Sequence, residues 1–148
     1  MAFDKNFAIN VMYPAANAAY LVMNTPTPTL ALPAGFAPAG LIQASAADAF
    51  AAMNAADPDH QRLANKMVSE SSIFGLVVWN AATKTAIVAI RGTETIWDWL
   101  ADVDAAPVPY LPNLDAGLVH MGFQLVYQHI RASIASLLKT NCPGVQTI

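Results

Sequence analysis

The chain has 148 residues, enough for one ordinary domain with a core of its own. Charged residues make up 11% of it and apolar residues 55%, whereas charged residues are about 25% of a typical soluble domain. The formal net charge is -3 and no cluster of Lys or Arg occurs, so we do not expect a nucleic acid as a partner. This composition fits a protein that works at an apolar surface, a subunit with a large partner, or a piece of a bigger domain.

The N-terminal region raises the question of a membrane span, because residues 6–47 contain no charged residue. Prolines and asparagines interrupt this stretch, which therefore lacks the roughly 20 continuous apolar residues of a spanning helix, and we expect no transmembrane segment. The first residues do not have the pattern of a signal peptide. Residues 7–23 are predicted to form a helix of small residues, with Pro14 either kinking it or starting its second half.

Residues 25–38 are predicted to be a proline-rich connector. A capping-box pattern at residues 45–48 then opens an alanine-rich helix that ends near residue 57. A strand over 73–79, a turn and a second strand over 85–90 follow. The second strand is apolar on both faces, which is typical of a central strand that helices cover on both sides.

A short helix is predicted over residues 95–103, and the prolines at positions 107, 109 and 112 prevent its continuation. A long helix follows from about Gly122 to Lys139. The apolar residues that recur along one face of it are Phe123, Tyr127, Ile130, Ile134 and Leu137. Residues 145–148 begin another strand and so a strand–helix–strand crossover. Because this strand has nothing to cover it, we expect residues 1–148 to be the N-terminal part of a larger folded domain.

The break at Arg91-Gly92-Thr93 is the first candidate for chemistry. A loop that leaves a central strand of an α/β sheet points into the crevice where such folds bind ligands. Gly92 allows a tight turn, and Thr93 offers a backbone N–H and a hydroxyl. One oxyanion-hole donor of α/β-hydrolases comes from such a loop. An ordinary turn is the alternative interpretation.

The helix after this loop has apolar surface in two directions. Thr95 can cap it, with Asp98 at the capping-box position. One stripe consists of Ile96, Trp99, Leu100 and Val103, and Trp97 falls off that stripe. Short helices with loop-like flanks are expected of movable covers over a site, and an ordinary core helix is an equally good interpretation of the pattern.

Two segments, "AIVAIRGTETIWDWLADVDAAPVPY" and "VHMGFQLVYQHIRASI", resemble the class 3 (fungal-type) lipases. That family has a strand, an Arg-Gly-Ser/Thr oxyanion loop, an Ile-x-x-Trp lid helix followed by Ala-Asp, and a His-x-Gly-Phe helix start. The residues on this pattern are Ile96, Trp99, Ala101, Asp102, His120, Gly122 and Phe123. The likeness covers about residues 72–148, with a weaker likeness at "AANAAY" near the N-terminus.

The resemblance implies an α/β-hydrolase fold, with a mostly parallel central sheet flanked by helices. Thr93 would be an oxyanion-hole residue, and the lid that covers the site would carry Ile96, Trp97, Trp99, Leu100 and Val103. From the residues themselves, Asp102 is either a surface carboxylate or a group that positions the lid, and His120 caps or orients the start of the long helix or, as the alternative, touches the site. The Gly-x-Ser-x-Gly elbow would follow residue 148, and the triad Asp and His would lie further on, so this part alone should be inactive.

The implied activity is hydrolysis of carboxylic esters, above all acylglycerols, at an oil–water interface. The implied partner is the C-terminal remainder of the domain, in the same gene product or as a separate chain. Phospholipase A1 and feruloyl esterase stay open as variants of this activity. A non-catalytic lipid-surface or partner-binding protein of lipase-like fold is the alternative from another class. The family is often secreted, but the sequence does not indicate a location for this chain.

Other candidates for chemistry are weaker. None of the serines lies in Gly-x-Ser-x-Gly: Ser45, Ser69, Ser71, Ser72, Ser133 and Ser136. The histidines His60, His120 and His129 lack metal-ligand spacing, so we expect neither a metal nor a cofactor. Cys142 is the single cysteine, which excludes an internal disulfide, and no basic group flanks it, so we expect an inert thiol.

Overall fold

The computed structural model describes residues 4–24, 28–44, 73–91, 107–110 and 114–148. Its helices are α1 (Lys5–Phe7), a π-helical turn (Ala8–Met12), α2 (Tyr13–Asn24), a 3-10 turn (Leu114–Ala116) and α3 (Met121–Asn141). Its strands are β1 (Ala37–Gln43), β2 (Ile73–Asn80), β3 (Thr85–Ile90), β4 (Pro107–Pro109) and β5 (Leu118–His120). The chain divides into two compact units. The predicted helices over residues 45–57 and 95–103 lie outside the described residues.

The N-terminal helix forms where the sequence predicts it, and Pro14 determines its shape. The Asp4 carboxylate caps α1 by accepting the Phe7 backbone N–H at 3.0 Å. Pro14 has no amide hydrogen, and its ring clashes with the carbonyl of Asn10 in a regular α-helix. The backbone accordingly widens into the π-helical turn Ala8–Met12 before α2 begins. Pro14 therefore lies at the start of the helix's second half.

The first unit is built on a three-stranded antiparallel sheet in the order β1-β2-β3. β2 and β3 correspond to the two predicted strands, and they form an antiparallel hairpin in which Asn80 lies opposite Thr85. The Asn80 side-chain oxygen accepts the N–H groups of Ala82 and Thr83, at 3.0 and 3.1 Å, which fixes the turn. Lys84 takes the left-handed conformation that returns the chain into β3.

Strand β1 is a correction to the prediction of a connector that extends to residue 38. Pro38 and Gly40 disfavour a regular strand, and β1 accommodates them by shifts in register beside Ala39 and again before Gln43. Two side chains of α3 satisfy the backbone at these irregularities. The Asn141 amide donates to the Ala39 carbonyl, and the Ser133 hydroxyl accepts the Gln43 N–H.

The described core of this unit lies between α2 and the sheet. Small residues on one face of α2 allow the helix to approach the strands closely. The buried members are Ala15, Ala18, Ala19 and Val22 from α2, with Leu76, Val78, Ile87 and Ala89 from the hairpin. Val77, on the opposite face of β2, is also fully buried. β2 thus has the two-sided burial expected of a central strand.

Strand β3, which we predicted to be central, is the last strand of the described sheet. Beyond it, Thr85 forms a parallel bridge with Thr147. The Ala86 N–H donates to the Thr147 carbonyl, and the Gln146 N–H donates to the Lys84 carbonyl, both at 2.9 Å. The strand predicted over residues 145–148 is represented by this bridge alone. All other described pairings are antiparallel, so a mostly parallel sheet is not confirmed.

The second unit contains the short antiparallel pair β4 and β5, in which Pro107 lies opposite His120. The Tyr110 N–H donates to the Gly117 carbonyl at 3.1 Å and closes the loop between the strands. β4 was not predicted from the sequence, because prolines at two of its three positions argue against a strand. The long helix α3 is confirmed, with ends within two residues of the prediction. Among the described residues, no helix is long and apolar enough to cross a membrane.

Candidate active site

The predicted oxyanion loop leaves β3 at Arg91, the last residue before the loop that the structure describes. The Arg91 backbone N–H donates to the Phe74 carbonyl at 2.9 Å and so extends the β2–β3 pairing by one residue. The site therefore begins at a point where the backbone is still held by the sheet.

The Arg91 side chain turns back onto the beginning of β2. Its Nε–H donates to the Ile73 carbonyl at 3.1 Å, and its guanidinium carbon lies 5.2 Å from the centre of the Phe74 ring. Arg91 is 7% exposed, and its buried Nη1 atom has no hydrogen-bond partner among the described residues. Burial lowers the pKa of Arg91, and Tyr20 partly opposes this effect. The guanidinium is a buried cation with incomplete pairing.

Gly75 brings β2 and β3 into close contact at the same end of the hairpin, where it pairs with Ile90. Its φ is 154°, and a Cβ atom at this position would lie 2.0 Å from the Ala89 carbonyl oxygen. No side chain larger than hydrogen fits without a shift of the backbone. The approach to the predicted loop is therefore shaped by one glycine and one arginine.

The other predicted site residues fall largely outside the described part of the chain. They are Thr93 of the oxyanion loop, Ile96, Trp97, Trp99, Leu100 and Val103 of the lid, and Asp102. His120 is the last residue of β5 and pairs with Pro107. Its side chain is outside the part of the chain that the structure describes. The described residues therefore include none of these predicted site side chains, and their mutual arrangement stays a prediction.

The first half of α3 differs from the predicted apolar stripe. Phe123 is 66% exposed and Tyr127 is also exposed, with its ring 6.4 Å from that of Tyr110. Among the residues of this segment whose burial is described, the buried ones are Gln124, Gln128, His129 and Ile130. The apolar stripe is thus exposed at Phe123 and Tyr127 and buried at Ile130. Polar side chains at the same helical spacing occupy the buried face of this segment.

The surroundings of the described serines and of the cysteine do not indicate a nucleophile. Ser133 is hydrogen-bonded to Gln43 at 3.1 Å, and Ser136 lies on an exposed part of α3. Cys142 is 1% exposed, and burial raises the pKa of its thiol, as expected of an unreactive cysteine. No group of His, Cys, Asp and Glu side chains in the described ranges is arranged to hold a metal ion.

Sequence reasoning treated Arg91 only as part of the break and assigned it no task. A sequence signal was present, since a lone charged residue follows directly on the apolar run of β3 in a chain with few charges. Such a residue is expected to be buried only with a partner. The identity of that partner, a carbonyl at residue 73, depends on the pairing of β2 with β3 and cannot be read from the local pattern.

Comparisons with known proteins bear on the segment that starts in β3. Comparison with curated proteins and comparison with solved structures gave no match. The model of the family Lipase (class 3) matches residues 87–145, which is less than half of the chain. The matched segment runs from β3 through the Arg-Gly-Thr break to the end of α3. This match implies an α/β-hydrolase fold and supports a lipase-type hydrolase. The resemblance to the class 3 lipases inferred from the sequence is therefore confirmed over residues 87–145.

Proposed function

We propose that this chain is the N-terminal part of an α/β-hydrolase domain that hydrolyses carboxylic esters, with acylglycerols as the substrate class. The observation that carries the proposal is the family match over residues 87–145, a range that contains the predicted oxyanion loop, the predicted lid and α3. No metal or cofactor takes part in the proposed reaction.

In the proposed mechanism, a serine outside these 148 residues attacks the ester carbonyl, and the alcohol leaves as the acyl-enzyme forms. Water then hydrolyses the acyl-enzyme and releases the fatty acid. Each step creates a negatively charged oxygen. The backbone N–H and the hydroxyl of Thr93 donate hydrogen bonds to that oxygen. Removal of one such donor typically lowers kcat by about 100- to 1000-fold. The absence of Gly-x-Ser-x-Gly from the chain is the reason for placing the nucleophile elsewhere.

The proposed lid is the segment that carries Ile96, Trp97, Trp99, Leu100 and Val103. Its apolar side chains cover the site in water and face the lipid when the lid opens. The lid role comes from the resemblance, and it predicts faster turnover on emulsified than on dissolved substrate. We assign to Asp102 the positioning of the lid and to His120 the orientation of the start of α3.

The hydrogen bonds around Thr147 support a parallel continuation of the sheet. α3 connects β3 to residues that pair with β3 in the parallel sense, which is the arrangement of a strand–helix–strand crossover. In an antiparallel hairpin, alternate residues point their N–H groups to opposite edges. Because Ala86 donates to Thr147, the amides of Val88 and Ile90 face the same outer edge. A following parallel strand would give them acceptors.

The test is covalent labelling with a serine-reactive phosphonate bearing an alkyl chain. We expect the active protein to be labelled on a serine outside residues 1–148, and that polypeptide or assembly to be heavier than the 15.7 kDa of this chain. The rival is a non-catalytic lipid-surface or partner-binding protein of lipase-like fold that lacks the nucleophile. Absence of labelling in a protein that binds lipid would favour the rival. Activity from a 15.7 kDa polypeptide without a companion would contradict the placement of the nucleophile.

A further inference from the structure

We propose that Arg91 is a positioning residue for the oxyanion loop, and that it acts through the hydrogen bond from its Nε–H to Ile73 and not through its charge. The inference rests on the proposed function, since the loop after Arg91 is the one that carries Thr93. It assigns to Arg91 a task that neither the family match nor the sequence pattern specifies.

The geometry gives Arg91 two attachments to one strand. Its backbone N–H bonds the Phe74 carbonyl at 2.9 Å, and its Nε–H bonds the Ile73 carbonyl at 3.1 Å. Both acceptors lie at the beginning of β2, and both donors belong to one residue. A rotation or a slide of the chain at residue 91 therefore breaks at least one bond. We call this pair of bonds the Arg91 clamp.

The surroundings make the clamp rigid. Phe74, whose ring lies under the guanidinium, is 1% exposed and belongs to the core. A side chain that packs on such a ring while bonded at Nε has few alternative rotamers. The direction in which the backbone leaves residue 91 is thus fixed at two points. An oxyanion-hole donor requires a fixed backbone direction, because small displacements of a positioned group reduce turnover strongly.

Among the described residues, the charge is incompletely paired. Nη1 has no acceptor among the described residues, and burial lowers the pKa of the guanidinium. Burial of an incompletely paired cation opposes folding, and an apolar side chain of similar length packs at lower cost. Net stability therefore does not explain an arginine at this position. The placement of a hydrogen-bond donor at Nε explains it.

Three substitutions separate donor, charge and packing. Arg91→Gln places an amide N–H donor at the distance of Nε from the backbone and removes the charge. Arg91→Lys keeps the charge and has a methylene group at that position, with its donor further out. Arg91→Met keeps the packing over Phe74 and has neither donor nor charge. The proposal predicts that Gln preserves function better than Lys.

The experiment measures kcat and KM on a dissolved short-chain nitrophenyl ester, with the protein in its catalytically competent form. We expect Arg91→Gln to keep most of kcat, and Arg91→Lys and Arg91→Met to lose about 100-fold in kcat with little change in KM. Lys84→Met is the matched control. Lys84 is also a cation over an aromatic ring, 5.7 Å from the ring of Trp79 at the other end of the hairpin, and its loss should leave kcat unchanged.

Hydrogen exchange of the residue 91 amide provides a readout that does not depend on activity. Exchange should accelerate in Arg91→Met and stay slow in Arg91→Gln. Lys performing as well as Gln or better, or all three variants matching the wild type, would overturn the proposal. If the Lys and Met variants fail to fold while the Gln variant folds, the hydrogen bond serves folding alone. That result would also overturn the proposal. A wild type that the phosphonate does not label refutes the proposed function, while the exchange data still test the clamp.

Discussion

At the scale of single residues, the end of β3 before the predicted loop depends on Gly75, which has no side chain, and on Arg91, which has a long one. Gly75 permits the close approach of β2 to β3, where a Cβ would meet the Ala89 carbonyl at 2.0 Å. Arg91 then holds the end of β3 through the clamp. The same few residues thus determine the spacing of the strands and hold the end of β3.

Gly75→Ala should destabilise the fold by about 3 kcal/mol, because the backbone of β3 must move away from the new methyl group. Urea unfolding measures the change. Gly144→Ala is the control, since Gly144 also has a positive φ, 68°, but an added Cβ meets nothing within 4 Å. It should cost only about 1 kcal/mol, the penalty of the left-handed conformation. Equal losses in the two variants would contradict the steric explanation.

The sequence located the break at residues 91–93 but could not supply its geometry. The hydrogen bond from Arg91 to Ile73 spans 18 residues and exists only because β2 and β3 pair in one register. Local patterns carry no information on such a contact. Thr93 and the lid residues lie outside the described residues, so their roles stay predictions.

At the scale of elements, periodicity located α3 correctly but did not indicate which side of its first half is buried. Gln124 and Gln128 share the same four-residue spacing as Phe123 and Tyr127, so the pattern is compatible with either face. Strand β1 was missed for a related reason. Pro38 and Gly40 argue against a strand, and the side chains of α3 that support β1 lie about 90 and 102 residues away in sequence.

Ser133→Ala should weaken the attachment of β1, because the Gln43 N–H loses its acceptor at the shift in register. The expected cost is about 1 kcal/mol of unfolding free energy, together with faster hydrogen exchange at the Gln43 amide. Ser136→Ala is the matched control on an exposed turn of the same helix and should change neither quantity. Unchanged exchange at Gln43 in Ser133→Ala would show that the serine is dispensable for β1.

At the scale of the whole molecule, the sequence predicted a mixture of strands and covering helices, and the described residues have that composition. Its mostly parallel sheet is not confirmed, since the parallel pairing is limited to the bridge between Thr85 and Thr147. Parallel pairing requires strands that a long connection brings together. A hairpin such as β2–β3 has a short turn and is therefore antiparallel. The α/β-hydrolase fold comes from the family match.

Gln146→Pro tests the crossover, because proline removes the N–H that donates to the Lys84 carbonyl. Hydrogen exchange at the Ala86 amide should accelerate about tenfold. The Ile87 amide, on the side of β3 that pairs with β2, should be unaffected. Gln146→Ala keeps the backbone donor and serves as the control. Equal protection of Ala86 in both variants would argue against a parallel strand at this edge.

The outer edge of β3 also affects how the protein behaves in solution. Within the described residues, it is paired only at its first residues, and it ends at Ile90, whose side chain is about half exposed. Ladder edges of this kind are templates on which a second chain adds its own strand. Preparations without a strand to occupy this edge should therefore self-associate as concentration rises, and a Lys introduced at residue 88 or 90 should keep them monodisperse.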